Sequence, residues 1–173
     1  MNIVLVGLRG SGKSKIGKKI SKMLKMKLIE VDDEIEKQEG MSIKKIIELK
    51  DWEYFRAVED KIAISISEND NCVISTGGGT IINPENKKAL KKNGKIIYLY
   101  RQPKVCAQYI ENDPKRPALT NEETLEEELD ELYKQRNQIY CKSSNLIFHR
   151  TDDLDVDSKE LINQLKEKWT QIS

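Results

Sequence analysis

The chain predicts an α/β fold, a five-stranded parallel sheet flanked by helices on both faces. Three observations carry that expectation. Short apolar runs alternate with helical stretches from one end of the chain to the other. The runs lack polar/apolar alternation, as strands covered on both faces do. The first of them empties directly into a glycine-rich turn followed by helical periodicity.

Taken in order, Asn2–Val6 is a β-branched-rich run ending at Gly7 and reads as a buried strand. Helical spacing then puts Ile16, Ile20, Met23 and Leu24 on one face, with lysines opposite. Lys27–Val31 reads as a second strand, closing at Asp32-Asp33-Glu34. Helices are expected at Asp33–Gln38 and Ser42–Leu49, separated by Glu39-Gly40, and a longer one from about Asp51 to Glu68. Cys72–Thr76 is the third strand and runs into Gly77-Gly78-Gly79. Pro84 opens the next helix, which stops near Asn93-Gly94. Lys95–Tyr100 is the fourth strand, and Pro103 starts another helix.

From Asn112 to Glu122 the periodicity fails, with two prolines among turn-forming residues. A loop of that length inside an α/β domain reads as a mobile lid, about residues 112–124. Helix resumes near Thr124 and continues to about Tyr140, and Asn145–Phe148 is the fifth strand. A last helix aligns Leu161, Ile162, Leu165 and Trp169. No internal repeat, low-complexity tract or linker interrupts the pattern, so residues 1–173 read as one domain.

Composition narrows the classes. Thirty basic and 29 acidic residues leave a formal charge of +1, which gives no reason to expect nucleic acid or an anionic membrane as partner. The three cysteines, Cys72, Cys106 and Cys141, form no CxxC pair, which disfavours disulfide and zinc frameworks and favours a reduced setting. The single histidine, His149, rules out a histidine-based metal cluster and reads as a residue near a strand end. No apolar run approaches the roughly 20 residues that span a bilayer. The start, MNIVLVG, lacks a basic leader, so a cytoplasmic protein is expected.

Gly7-Leu8-Arg9-Gly10-Ser11-Gly12-Lys13-Ser14 matches G-x-x-x-x-G-K-[ST] at every fixed position, between a predicted strand and a predicted helix. Glycines let the backbone curl so that successive N–H groups face phosphate oxygens, and the helix start adds its dipole. Gly7, Gly10, Ser11, Gly12, Lys13 and Ser14 are therefore candidate ATP contacts. Lys13 reaches the β- and γ-phosphates, and the Ser14 hydroxyl suits Mg²⁺. A P-loop specifies a nucleoside triphosphate but not its use.

Further pieces bear on the acceptor. Glu30 and Asp32, two apart on the expected strand, would project from one face at its C-terminal end, where ligands bind in open α/β sheets. One carboxylate could take or orient a hydroxyl proton and the other hold Mg²⁺; the competing reading, solvated acids before a helix, weighs more for Glu30 than for Asp32. Arg136 has Leu132, Tyr133, Ile139 and Tyr140 as helix neighbours, none acidic, so its anion must come from elsewhere. Arg56, by contrast, has Glu59 and Asp60 at i+3 and i+4, an ordinary helix salt bridge. Gly77, Gly78 and Gly79 leave side-chain-free backbone at the ligand edge. Arg116 lies in the expected lid, with no helix partner available.

In order along the chain stand Gly7–Ser14, Glu30-Val31-Asp32, Phe55-Arg56-Ala57-Val58-Glu59, Gly77-Gly78-Gly79, Arg116-Pro117-Ala118-Leu119 and Arg136-Asn137-Gln138-Ile139-Tyr140. This series resembles the shikimate kinase family over nearly the whole chain. The resemblance implies a P-loop kinase fold and transfer of the ATP γ-phosphoryl group to the 3-hydroxyl of shikimate, in aromatic amino-acid biosynthesis through chorismate. It implies the acceptor-hydroxyl role for Asp32, a metal role for the position of Glu30 beside Ser14, and carboxylate binding by Arg56 and Arg136. Lys13, Asp32 and Arg116 are then the catalytic residues, Arg116 also meeting the nucleotide, and Gly77–Gly79 bind substrate in an acceptor region that includes about residues 32–60. The family commonly has Asp where this chain has Glu30, and often an adenine-stacking arginine where this chain has Tyr109. Alternatives are another small-metabolite kinase, such as a gluconate kinase, or a non-catalytic nucleotide-binding regulator. A regulator would need neither the acceptor carboxylates nor the paired arginines. A monomer acting on a small molecule is expected.

Overall fold

The structure, a computed structural model, describes residues 1–110, 124–151 and 153–169. Five runs pair side by side: β1 Asn2–Val6, β2 Lys27–Glu30, β3 Cys72–Ser75, β4 Gly94–Tyr100 and β5 Leu146–His149; β1 and β3 are buried along their whole length, whereas the edge strands β2 and β5 keep exposed positions. Every pairing is parallel and the order is β2-β3-β1-β4-β5. From β1 the chain crosses to β2 at one edge, and every later crossover moves the other way. That reversal leaves a crevice beyond the carboxyl end of β1, where ligands bind in such sheets.

Successive residues of β1 face opposite layers, as the pleat requires. Ile3 and Leu5 pack with Ile16 and Ile20 of α1 (Lys13–Met23) and with Leu161 and Leu165 of α7 (Leu154–Lys168). Val4 and Val6 pack on the other side. There they meet residues of α2 (Val31–Glu39), α3 (Ile43–Ser67), α4 (Pro84–Lys92), α5 (Pro103–Ile110) and α6 (Leu125–Ser143). Each fully buried aliphatic side chain contributes about 1.5–3 kcal/mol.

Local chemistry sets the helix ends. Asn83 caps α4 ahead of Pro84, and Thr124 and Glu127 form a capping box on α6. Asp51 adopts φ 82 inside α3, breaking it where two helices are expected. Its side chain accepts from Tyr54 N at 2.9 Å and so caps the second half.

Some boundaries differ from expectation. β2 stops at Glu30, and Val31 is already the first, buried residue of α2. Met23 is 43% exposed because the buried stripe of α1 runs through Ile16, Gly17, Ile20 and Ser21, leaving Met23 at its margin. A 3-10 turn at Thr80–Ile82 follows the three glycines. The expected lid lies outside the described residues except for Thr124, which is the α6 cap. Among the described residues, no helix is long and apolar enough to cross a membrane.

Candidate active site

The loop after β1 wraps onto the start of α1. Gly10 and Gly12 take φ 81 and 87, which suit glycine. At Gly12 a side chain would also collide with the Arg150 guanidinium. The Lys13 ammonium donates to the Gly7 and Leu8 carbonyls at 2.9 Å each, which holds it at the mouth of the loop. Among the described residues the buried Ser11 hydroxyl has no hydrogen-bond partner, and a phosphate oxygen would satisfy it. Gly10, Gly12, Lys13 and Ser14 line a cavity of about 430 Å³, together with Glu30, Asp32, Gly77 and Gly78.

Glu30 and Asp32 reach this cavity by a route the sequence does not suggest. They do not share a strand face, because the strand ends at Glu30. Glu30 is the residue preceding α2, and Asp32 lies in that helix's first turn. Ser14 Oγ donates to Glu30 Oε2 at 2.8 Å, which puts a hydroxyl and a carboxylate side by side under the phosphate cradle.

The three glycines form a partition. Gly77 and Gly78 line the first cavity, whereas Gly79 lines a second of about 420 Å³ with Arg56, Glu59, Arg136 and Ile139. A methyl group built on Gly77 would lie 2.7 Å from Glu59 Oε1 and 3.3 Å from Asp32 Oδ1. One on Gly78 would lie 3.5 Å from Arg9 N and 3.6 Å from Arg136 Nη1. One on Gly79 would press on Arg56 Nη1 at 2.5 Å. The turn thus gathers the P-loop, Asp32 and both arginines within contact of nearly bare backbone.

Arg56 makes the expected helix salt bridge and also faces a cavity. It pairs with Glu59 at 2.5 Å, and its side chain, 36% exposed, still lines the second cavity. Glu59 is 2% exposed and also accepts from Thr80 Oγ1 at 2.6 Å, so it is a fixed anchor. Tyr140 donates to the Gly78 carbonyl at 2.5 Å and holds the partition from α6. Burial pushes its hydroxyl up to about 12, against the opposing influence of Arg136.

Several residues here escape the sequence reading. Arg9 forms a buried ion pair with Glu128 at 2.8 Å, tying the P-loop to α6. Arg150 Nη1 donates to the Ser11 carbonyl at 2.9 Å while its Nε is held by Asp157 at 2.8 Å, which braces the loop from beneath. Arg101 lines the same cavity, stacked over Tyr109. Arg101 and Arg150 immediately follow β4 and β5, so position at the carboxyl edge of the sheet was the available signal. Arg116 lies outside the described residues.

A P-loop beside β1, a Ser14–Glu30 pair and an arginine-lined acceptor cleft define an ATP-dependent phosphotransferase, a kinase acting on a small molecule. A family model described as shikimate kinase matches residues 9–167, and the chain belongs to the shikimate kinase family. A shikimate kinase from Caldicellulosiruptor bescii is 38% identical over 164 residues, covering 95% of this chain and 90% of that protein. A bifunctional shikimate kinase/3-dehydroquinate synthase from Thermotoga maritima is 37% identical over 168 residues, 97% of this chain. This chain spans only 33% of that relative. The solved shikimate kinase from Acinetobacter baumannii, in complex with shikimate, superposes with a TM-score of 0.89 at 30% identity, covering 96% of this chain and 94% of that one. The expected fold and family are both borne out.

Proposed function

We propose that this chain transfers the γ-phosphoryl group of ATP to the 3-hydroxyl of shikimate, giving ADP and shikimate 3-phosphate for chorismate and aromatic amino-acid biosynthesis. The observation that carries the reading is the Gly77–Gly79 partition, with the phosphate cradle on one side and Arg56 and Arg136 on the other. The shikimate complex of the Acinetobacter baumannii relative supports it. The acceptor's carboxylate would sit between the two guanidinia, each charge-assisted bond contributing about 1.5–3 kcal/mol. Its ring would lie against the glycines, and Asp32 would orient the attacking hydroxyl and take its proton. Lys13 would meet the charge on the transferring group, and Arg116, in the segment outside the described residues, would add a second cation there. Catalysis is then mostly positioning within preset charges.

Mg²⁺ suits the oxygen donors present, since the Ser14 hydroxyl and Glu30 carboxylate stand one hydrogen bond apart beside the cradle. These two residues would hold the ion, the glutamate's longer arm standing where the family commonly has aspartate. When bound, Mg²⁺ supplies neutralisation of phosphate charge.

Coupled ADP release with Mg·ATP tests the reading on wild type and Arg136→Ala, with shikimate or gluconate as acceptor. Shikimate-dependent turnover is expected, with KM for shikimate raised about 10–100-fold in the variant and KM for ATP little changed. Turnover with gluconate or a nucleoside monophosphate, and none with shikimate, would overturn the acceptor assignment.

A further inference from the structure

Each carbonyl of the glycine turn is already engaged. The Gly77 carbonyl accepts from Thr80 N at 3.4 Å and the Gly79 carbonyl from Ile82 N at 3.0 Å, both bonds within the turn itself. The Gly78 carbonyl between them is held from outside, by the Tyr140 hydroxyl at 2.5 Å and 62 positions further along the chain. With all three carbonyls taken, what the turn has left to give a ligand is N–H.

Tyr140 draws its carbonyl inward. Its ring is fully buried in the core cluster that holds Val4, Val6 and Tyr98, and it lies 5.0 Å from the Tyr98 ring. The three glycines are only half-buried and line the two cavities. In a trans peptide C=O and N–H point opposite ways, so a Gly78 carbonyl turned to the core turns the Gly79 N–H out of it. A methyl on Gly78 would lie 3.6 Å from Arg136 Nη1 and one on Gly79 2.5 Å from Arg56 Nη1, so the peptide joining them runs between the two guanidinia.

A peptide with glycine on both sides turns over with little steric resistance, because neither residue has a Cβ. Turned over, it would set a carbonyl where the acceptor needs a donor and would repel its carboxylate. The Tyr140 bond selects against that orientation, since a departing carbonyl would strand the buried hydroxyl without a partner. Burial raises this hydroxyl to about 12, so it stays protonated and donating through the neutral range.

We infer that Tyr140 is a positioning residue for the acceptor: it fixes the Gly78 carbonyl toward the core and thereby keeps the Gly79 N–H aimed into the acceptor cleft as a donor. The inference rests on the acceptor half of the reading above.

Tyr140→Phe keeps the ring and removes the hydroxyl, and Tyr98→Phe is its control. Tyr98 is buried in the same cluster, and its hydroxyl donates to Asn137 Oδ1 at 2.9 Å, a bond to α6 that does not involve the glycines. Tyr140→Phe is expected to raise KM for shikimate about tenfold, while KM for ATP and acceptor-independent ATP hydrolysis stay within about twofold of wild type. Tyr98→Phe should leave all three near wild type, although thermal unfolding shifts similarly in both variants. An equal rise in both KM values, or the same pattern in Tyr98→Phe, would make Tyr140 a support for the fold, and an unchanged KM for shikimate would free the peptide from it. Each of these results overturns the inference. Amide hydrogen exchange on isotope-labelled glycines gives a readout without turnover. The acceptor that wild type turns over, shikimate on this reading, should slow exchange at the Gly79 N–H about tenfold in wild type and far less in Tyr140→Phe. No slowing at Gly79 in wild type would overturn the inference whatever the variants do. Wild-type turnover with shikimate, measured first, judges the acceptor assignment by itself; were gluconate the acceptor, the same split would be read on its KM.

Discussion

Replacing Gly79 by alanine should separate binding from stability. Gly79 has φ −99 and ψ −15, a conformation alanine adopts without strain. The new methyl would lie 2.5 Å from Arg56 Nη1 and 2.8 Å from its Cζ, so the guanidinium must retreat by about 0.9 Å to ordinary contact at 3.4 Å. Arg56 has room to do so, and loosening its partly exposed pair with Glu59 costs about 1 kcal/mol or less. Restricting the unfolded chain returns about 0.4–1 kcal/mol, so net stability should hardly move. The carboxylate clamp, however, loses one charge-assisted bond, worth about 1.5–3 kcal/mol, or about 10–150-fold in KM for shikimate. Gly77→Ala is the control. Its methyl would meet Glu59 Oε1 at 2.7 Å, and that carboxylate is buried and held by Thr80. Overpacking there should cost about 1–3 kcal/mol, roughly 3–9 °C in Tm for a chain of this size. Thermal unfolding and coupled ADP release on both variants give the answer. An unchanged KM for shikimate in Gly79→Ala would refute the placement of Arg56 at the carboxylate. Destabilisation equal to that of Gly77→Ala would refute the claim that its retreat is cheap.

Two further outcomes concern the brace and the thiols. Burial pushes the Asp157 carboxyl up, but its bonds from Arg150 and from the Thr151 amide and hydroxyl outweigh this and hold it below the ordinary carboxylate value. A lowered folded pKa stabilises the protein above the unfolded value near 3.8, and that stability is lost as pH falls below it. Asp157→Asn should cost about 3 kcal/mol, and its urea midpoint should fall less than that of wild type between pH 5 and pH 3. Burial also pushes the Cys106 thiol up to about 11 and raises Cys72, whereas Cys141 is only half-buried. Iodoacetamide at pH 8 followed by mass spectrometry should therefore label Cys141 first in the folded protein and all three cysteines in denaturant.

What the sequence made legible was local. The P-loop is readable because its glycines answer a backbone requirement confined to residues 7–14, and the central strands β1 and β3 because they are buried along their whole length. Asp32 was found, but through a strand geometry that does not exist; a helix first turn brings it to the same cavity. Arg56 shows the limit of pattern reading, since the i+3 salt bridge to Glu59 is real and coexists with its place in the cleft. The braces were illegible for a topological reason. Arg150 reaches Ser11 across 139 positions, and Arg9 reaches Glu128 across 119. Nothing in the neighbourhood of either arginine points to a partner that far along the chain.

The Arg9–Glu128 pair also bears on the segment carrying Arg116. Before that segment, Cys106 packs its carbonyl against Gly10, closely enough that a side chain there would collide with it. After it, Glu128 returns to Arg9. The described chain on either side of residues 111–123 is thus anchored to the same P-loop, so the excursion between the two anchors has fixed ends. Because closure entropy grows only logarithmically, doubling the length of the excursion would cost about 0.6 kcal/mol. Its sequence and length can therefore vary widely, provided the two anchors on the loop stay in place.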